Sequence, residues 1–402
     1  MTPRLIGSEI YRGSSYGPKH PLAIPRVSTM LDLVRALGWV APAHYIDSPQ
    51  ASLDDLARFH ARDYLDALVR AERAQAVSAQ DRVRFRLGAD GNPVFREMFR
   101  RPATGAGGTL LAARLTAEGG VVHVPGGGTH HGRPDRASGF CYLNDAVLGL
   151  LAWLDQGLRN ILYLDLDAHH GDGVQDAFHD DPRVFTLSIH EDGRWPFTGG
   201  SEDRAGGHAA NIPVPPGFND TEMAWVLHHA ILPVIDRLRP QAIMVQCGAD
   251  ALEEDPLARL SLSNNAHRAV IAAVMPLAPR LIVLGGGGYN PWSVARCWAG
   301  VWGVLAGFAM PDRLPPAAEA VLRGLAVHRA ADPAVSPRAA WQDFSPRAAW
   351  RDFSPRAAWR DPPEHWFTTL ADAPRPGVVR AAVRRAAAAA LAGLPADPAG
   401  VA

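Results

Sequence analysis

The chain has almost no lysine: Lys19 is the only one in 402 residues, set against many arginines, and the formal net charge is −1. Without a surplus of positive charge there is no electrostatic footprint for nucleic acid or for an anionic membrane, so a charged substrate has to be attracted locally. Cysteine is scarce too. Cys141, Cys247 and Cys297 are an odd number without CxxC spacing, so neither a disulfide framework nor a structural zinc cluster is indicated, and a reducing cytoplasm fits. No apolar run reaches the roughly 18 residues of a membrane-crossing helix. The stretch Met1-Thr-Pro-Arg-Leu-Ile-Gly7 lacks the regions of a signal peptide. What is there is an ordinary globular composition, 47% hydrophobic and 20% charged, enough for one large α/β domain or two smaller ones.

Apolar residues at helical spacing predict a helix over 27–37, Ser52 reads as the N-cap of a helix through Leu56 and Phe59, and small residues predict a closely packed helix over 104–113. The arginine-rich passage from Arg73 to Arg86 reads as surface leading into the turn Ala89-Asp-Gly-Asn-Pro93. From Gly120 to Phe308 strands and helices then alternate, with strands over 120–124, 161–166, 184–189, 242–246 and 281–284. That alternation means a mostly parallel sheet with helices on both faces. A catalytic domain is expected over 1–310. The remainder, 311–402, is richer in Ala, Pro and Arg and holds a nine-residue unit, Ser336-Pro-Arg-Ala-Ala-Trp-Gln-Asp-Phe344, that occurs three times up to Pro362. Three such copies span too little chain for a core. They read either as a recent duplication or as a tryptophan-bearing arm that docks a partner.

Chemistry concentrates at strand ends. The apolar run Ile161-Leu-Tyr-Leu164 is followed by Asp165-Leu-Asp-Ala-His-His-Gly-Asp-Gly173. Asp167 and His169, two residues apart, can converge on one ion, and a carboxylate with an imidazole suits zinc or ferrous iron better than magnesium. A calcium loop is the bland alternative, but histidines occupy its third position and it follows a strand. Gln246-Cys-Gly-Ala-Asp250 ends another buried strand, and Asp250 is the candidate third ligand. Adjacent His130 and His131, within Pro125-Gly-Gly-Gly-Thr-His-His-Gly132, make a plausible base and acid pair. Tyr289 is presented by the glycine run Leu284-Gly-Gly-Gly-Gly-Tyr-Asn290, which lacks the pattern of a phosphate loop. In Ser138-Gly-Phe-Cys-Tyr-Leu-Asn144, Gly139 permits close approach of a ligand backbone. Three protein ligands leave a position open for water, as catalytic metals require. Asp165 and Asp172 would then orient His130 and His131, and Tyr289 would donate to the oxyanion: metal-assisted amide hydrolysis.

These motifs in this order, together with His20-Pro-Leu-Ala-Ile-Pro-Arg-Val-Ser28, resemble the histone deacetylase superfamily over roughly residues 10–308, most closely its bacterial deacetylase-like and acetoin-utilisation branch. The resemblance implies an arginase-like single α/β domain. It implies Zn2+ or Fe2+ on Asp167, His169 and Asp250, and removal of acyl groups from lysine side chains of proteins or peptides. A narrow channel walled by Phe140 and by an aromatic from Trp195-Pro-Phe197, Trp195 being favoured over Phe197, is implied as well. A monovalent cation such as K+ would fall on Asp165, Asp167, His169 and Ser188, or on the loop 178–184. Relatives specialised for acetylated polyamines carry a glutamate at the mouth where Leu257 stands here, so an acyl-lysine protein is the preferred substrate; small acetylated amines are the alternative, which a shifted loop bringing Glu253, Glu254 or Asp255 to the rim would favour. The rim acid that grips substrate backbone lies two residues before a proline in the family. Here that place is Gly91, with Asp90 one earlier as the candidate.

Overall fold

Runs of branched apolar residues build the sheet. Ile161–Asp165 and Ala242–Gln246 are buried at every residue, as strands covered by helices on both faces must be. The computed structural model describes residues 2–18, 20–330 and 362–394. Among them, β1 (Arg4–Gly7), β2 (Tyr45–Asp47), β3 (Gly120–Val124), β4 (Ile161–Asp165), β5 (Val184–Glu191), β6 (Ala209–Val214), β7 (Ala242–Gln246) and β8 (Arg280–Leu284) form one sheet. Its order is β2-β1-β3-β8-β7-β4-β5-β6. Every neighbouring pair is parallel, the expected α/β architecture. Register then sets up the chemistry: Val124 and Gln246 both pair with Leu284, and Asp165 pairs with Gln246. Four adjacent strands therefore end level. The loops after β3, β8, β7 and β4 leave from one line, where open parallel sheets place their ligands.

Some elements differ from expectation. The short edge strands β1 and β2 have too few residues to show a period, and β6 closes on Pro213-Val214. The helix expected from Ser52 is only Leu53–Leu56, with Ser52 and Asp55 forming a reciprocal capping box, and a second helix follows at Arg62–Ala74. The passage from Arg73 to Arg86 is exposed or half-buried but for Phe85, as expected of surface, and it contains the helix Ala79–Phe85, capped by Ser78.

Packing does not stop at the boundary expected near residue 310. Leu314, Ala318 and Leu322 at the start of the helix Pro316–Ala330 join the same apolar core as Leu162, Leu164 and Val245, and so do Trp366, Phe367, Leu370 and Val383. The helix Ala381–Ala392 lies against β6. Its alanine-rich sequence looks featureless, yet Ala386, Ala387 and Ala390 are buried because small side chains let backbones approach closely. Apart from Pro362, the nine-residue repeats lie outside the described residues. Their flanks do not. Arg323 donates from Nη1 to Glu364 Oε2 at 3.2 Å and lies over the Phe367 ring at 4.8 Å, so the repeats are inserted between two tied points of one surface. Shortening such an insertion changes loop closure only slightly. Deleting residues 336–361 should leave the unfolding midpoint unchanged in a thermal melt; a clear drop would show that the repeats contribute to the core. Among the described residues, no helix is long and apolar enough to cross a membrane.

Candidate metal and catalytic site

Asp167 and His169 sit just beyond β4, and Asp250 in the short turn Ala249–Ala251 beyond β7. One ligand atom from each lies within 4.8 Å of the others, and all three side chains are buried. His169 Nδ1 is 3.0 Å from Asp250 Oδ2 and 3.2 Å from Asp167 Oδ1. Backbone groups fix the carboxylates: Asp167 Oδ2 accepts from the Gly287 N–H at 2.8 Å, and Asp250 Oδ1 from the Ala168 N–H at 2.9 Å. A Cβ on Gly287 would stand 2.0 Å from Asp250 Oδ2, so only glycine lets the β8 loop close over the cluster. Burial, and then the neighbouring Asp167, push Asp250 up to about 6. Burial also acts to raise Asp167, but His130 and His169 outweigh it and hold that carboxyl below its ordinary range. His169 shows the complement: burial opposes its charge, yet Asp167 and Asp250 raise it to about 10. A site that draws a proton so strongly onto an imidazole between two buried carboxylates fits a metal cation in that place.

Beside this cluster, the loop after β3 presents both histidines. His130 Nδ1 is 2.8 Å from Asp165 Oδ2 and His131 Nδ1 is 2.6 Å from Asp172 Oδ1, with the two rings 3.9 Å apart. Asp165 is itself held by the Tyr163 hydroxyl at 3.0 Å and the Asp167 N–H at 3.0 Å. Arg133 binds Asp172. The pairs look alike but are charged differently. Burial works against a proton on His130, but Asp165 and Asp167 prevail and raise it to about 9. For His131, burial and the adjacent His130 prevail over Asp172, and it falls to about 3. One ring holds a proton and the other stays neutral, as an acid and base pair requires.

Sequence reasoning missed what holds these histidines. Asn144 donates from Nδ2 to the carbonyls of His130 at 3.2 Å and Gly132 at 3.0 Å, while its Oδ1 caps the helix Asp145–Asp155 through the Val147 N–H at 3.1 Å. Asp145 accepts from the Thr129 N–H at 2.7 Å and from the Thr109 hydroxyl at 2.6 Å. An Asn before an apolar helix was readable as an N-cap; its second task was not. Arg26 and Arg101 were missed as well. With Tyr11 and Tyr16 they line an inner cavity behind the histidines, where Arg26 donates from Nη1 to the Gly286 carbonyl at 2.6 Å.

Tyr289 is buried, with its backbone N–H donating to Asp255 Oδ2 at 2.6 Å. Burial and then Asp250 keep its phenol protonated far above the ordinary range, so it is a hydrogen-bond donor. An outer cavity opens above His131 and His169, walled by Phe140, Gly139, Trp195, Leu257 and Tyr289. The Trp195 ring is 4.6 Å from His131. A Cβ on Gly139, at φ +54°, would come within 2.4 Å of Trp195 and 2.6 Å of His131, so this glycine lets the wall pack rather than a ligand approach. Phe197 is not brought to the channel. It is 59% exposed, which leaves Trp195 as the aromatic of that segment. Asp90, at φ +50°, reaches the rim beside Arg86, Asn92 and Arg136. The acidic run stays away from the mouth: Arg375 pairs with Glu253 at 2.8 Å and Glu254 at 3.0 Å, and Asp255 also accepts from the Leu257 N–H at 2.8 Å. His170 bonds Thr198 Oγ1 at 2.8 Å and Gln175 Oε1 at 3.0 Å, a structural role, and Ser188 Oγ lies 2.9 Å from His190 Nδ1.

Known proteins resemble this chain in sequence and in fold. A histone deacetylase domain model matches residues 20–305. Histone deacetylase 9 of Arabidopsis thaliana is 36% identical over 313 residues, covering 75% of this chain and 73% of the plant protein. The acetoin utilization protein AcuC of Bacillus subtilis (strain 168) is 34% identical over 325 residues, covering 77% of this chain and 84% of AcuC. Other eukaryotic relatives are longer: the match spans only 61% of one from Caenorhabditis elegans and 59% of histone deacetylase 1 from Oryza sativa subsp. japonica. The crystal structure of a histone deacetylase homologue from Aquifex aeolicus superposes with a TM-score of 0.85 at 33% identity, covering 97% of this chain and 100% of the other. A homologue complexed with SAHA gives 0.84 at 33% identity, with the same coverage of both chains. On the domain match and these relatives, the chain belongs to the histone deacetylase family.

Proposed function

We propose that the chain is a metal-dependent amidohydrolase that removes acetyl or other acyl groups from lysine side chains of proteins. The observation that carries this reading is the convergence of Asp167, His169 and Asp250 with two Asp-tied histidines and a protonated Tyr289, of which His131, His169 and Tyr289 reach one aromatic-walled cavity. The donor set favours zinc or ferrous iron. When bound, such a metal supplies Lewis acidity that polarises the acyl carbonyl and activates water. The side chains do the rest. Neutral His131 accepts the proton of the attacking water, Asp172 stabilises the ring as it becomes charged, and His130, which already bears a proton, is the donor for the leaving amine. Tyr289 donates its O–H to the oxygen that gains charge. A carboxylate product that moves into the inner cavity meets the guanidinium groups of Arg26 and Arg101.

Two observations favour a peptide over an acetylated polyamine. Leu257 lines the mouth while no residue of the 253–255 run does, Asp255 being turned to the backbone N–H groups of Leu257 and Tyr289, and Arg86 and Arg136 would repel a polycation there. Metal-loaded protein should therefore turn over an acetyl-lysine peptide with higher kcat/KM than acetylspermidine or acetylputrescine, and SAHA should inhibit it. The reverse order would move the assignment to small amines. Inactivity on all three substrates after zinc or iron loading would indicate a binding protein that keeps the fold.

A further inference from the structure

We propose that the channel mouth selects acyl-lysine sites flanked by acidic residues, an inference that rests on the reading of the chain as a lysine deacylase. The described side chains lining the outer cavity include two guanidinium groups, Arg86 and Arg136, and one carboxylate, Asp90; Trp195, Leu257, Phe140 and Tyr289 supply apolar wall. The arginine side chains are 54% and 46% exposed, whereas that of His169 at the floor is 8% exposed. They therefore stand at the rim, where residues on either side of the lysine pass, and not where the acyl group goes.

Neither arginine is committed to a strong partner. Arg86 Nη1 is 3.2 Å from Asp90 Oδ2, a single contact between two half-exposed groups, and Arg136 Nη1 is 2.9 Å from Asp135 Oδ1, its own sequence neighbour. Exposed pairs of this kind are weakly held, so a substrate carboxylate replaces either at little cost. The chain as a whole is close to neutral, so any attraction has to come from such a local pair. An acyl-lysine is itself uncharged. Its flanking residues are what the two arginines can sense.

Three acetyl-lysine peptides differing only at the two residues on each side, carrying Glu, Gln or Lys there, test this with metal-loaded full-length protein. The expected order of kcat/KM is Glu, then Gln, then Lys, spanning about tenfold at low salt and shrinking when the ionic strength is raised to about 0.5 M. In the R86E/R136E double variant the Glu and Lys peptides should exchange places. Equal turnover of all three by the unaltered protein, or an order that survives the double variant, overturns the proposal while the deacylase reading stands. Turnover of none of the three by the unaltered protein overturns both.

Discussion

Replacing Tyr289 with Phe lowers kcat on an acetyl-lysine peptide by about 10²–10³-fold, the cost of removing one oxyanion donor. The ring should stay in place, because Tyr289 is fixed through its backbone N–H to Asp255 and is buried against the channel wall. Metal content should also stay the same, since Asp167, His169 and Asp250 are untouched. A donor used only as charge develops contributes to the transition state and not to ground-state binding, so kcat and kcat/KM fall together. Metal analysis alongside steady-state kinetics makes the test decisive. Undiminished turnover would remove Tyr289 from the chemistry, and loss of metal would reassign it to holding the site.

Ending the chain at residue 330 should abolish cooperative folding. The segment from residue 362 onward places Trp366, Phe367, Leu370 and Val383 in the main core. Each such side chain contributes about 1.5–3 kcal/mol on burial. The same cut strips a buried partner from Arg296, whose Nη2 is 2.6 Å from Asp372 Oδ1 with both side chains at most 1% exposed. An uncompensated buried charge costs about 3–5 kcal/mol. Against a net stability of about 5–15 kcal/mol, the loss is of the size of the whole. A circular dichroism melt with the full-length midpoint retained would show the segment to be dispensable. A narrower variant, Arg375→Ala, leaves the core intact but frees Glu253 and Glu254 from Arg375 and so loosens the loop whose Asp255 holds Tyr289; it should act on turnover more than on the melt.

The centre of the sheet was legible because strands such as Ala242–Gln246 are continuous apolar runs bounded by glycine and charge. The candidate ligand set was legible for a related reason: each candidate residue lies within a few residues of one of those strand ends, and nearness to a strand end becomes spatial convergence in a parallel sheet. What escaped the reading depends on distance. Asn144 contacts the His130 carbonyl only after the helix Asp145–Asp155 is placed, and Arg26 reaches the Gly286 carbonyl across 260 residues. Trp195 and Phe197 are two apart in one short segment; the resemblance favours Trp195, and Trp195 is the one that lines the cavity. The burial of the helix Ala381–Ala392 was not legible because alanine signals small volume and not burial; only the partner surface, β6, decides.

That segment has a consequence for how the gene can change. Indispensable packing lies downstream of three near-identical units, so the repeats are a hazard during copying as well as a place where length can vary. Gain or loss of whole nine-residue units keeps the reading frame and still delivers Trp366 and Val383 to the core. Slippage by a length that is not a whole number of codons garbles everything from there to Leu394, and with it the Asp372 partner of Arg296.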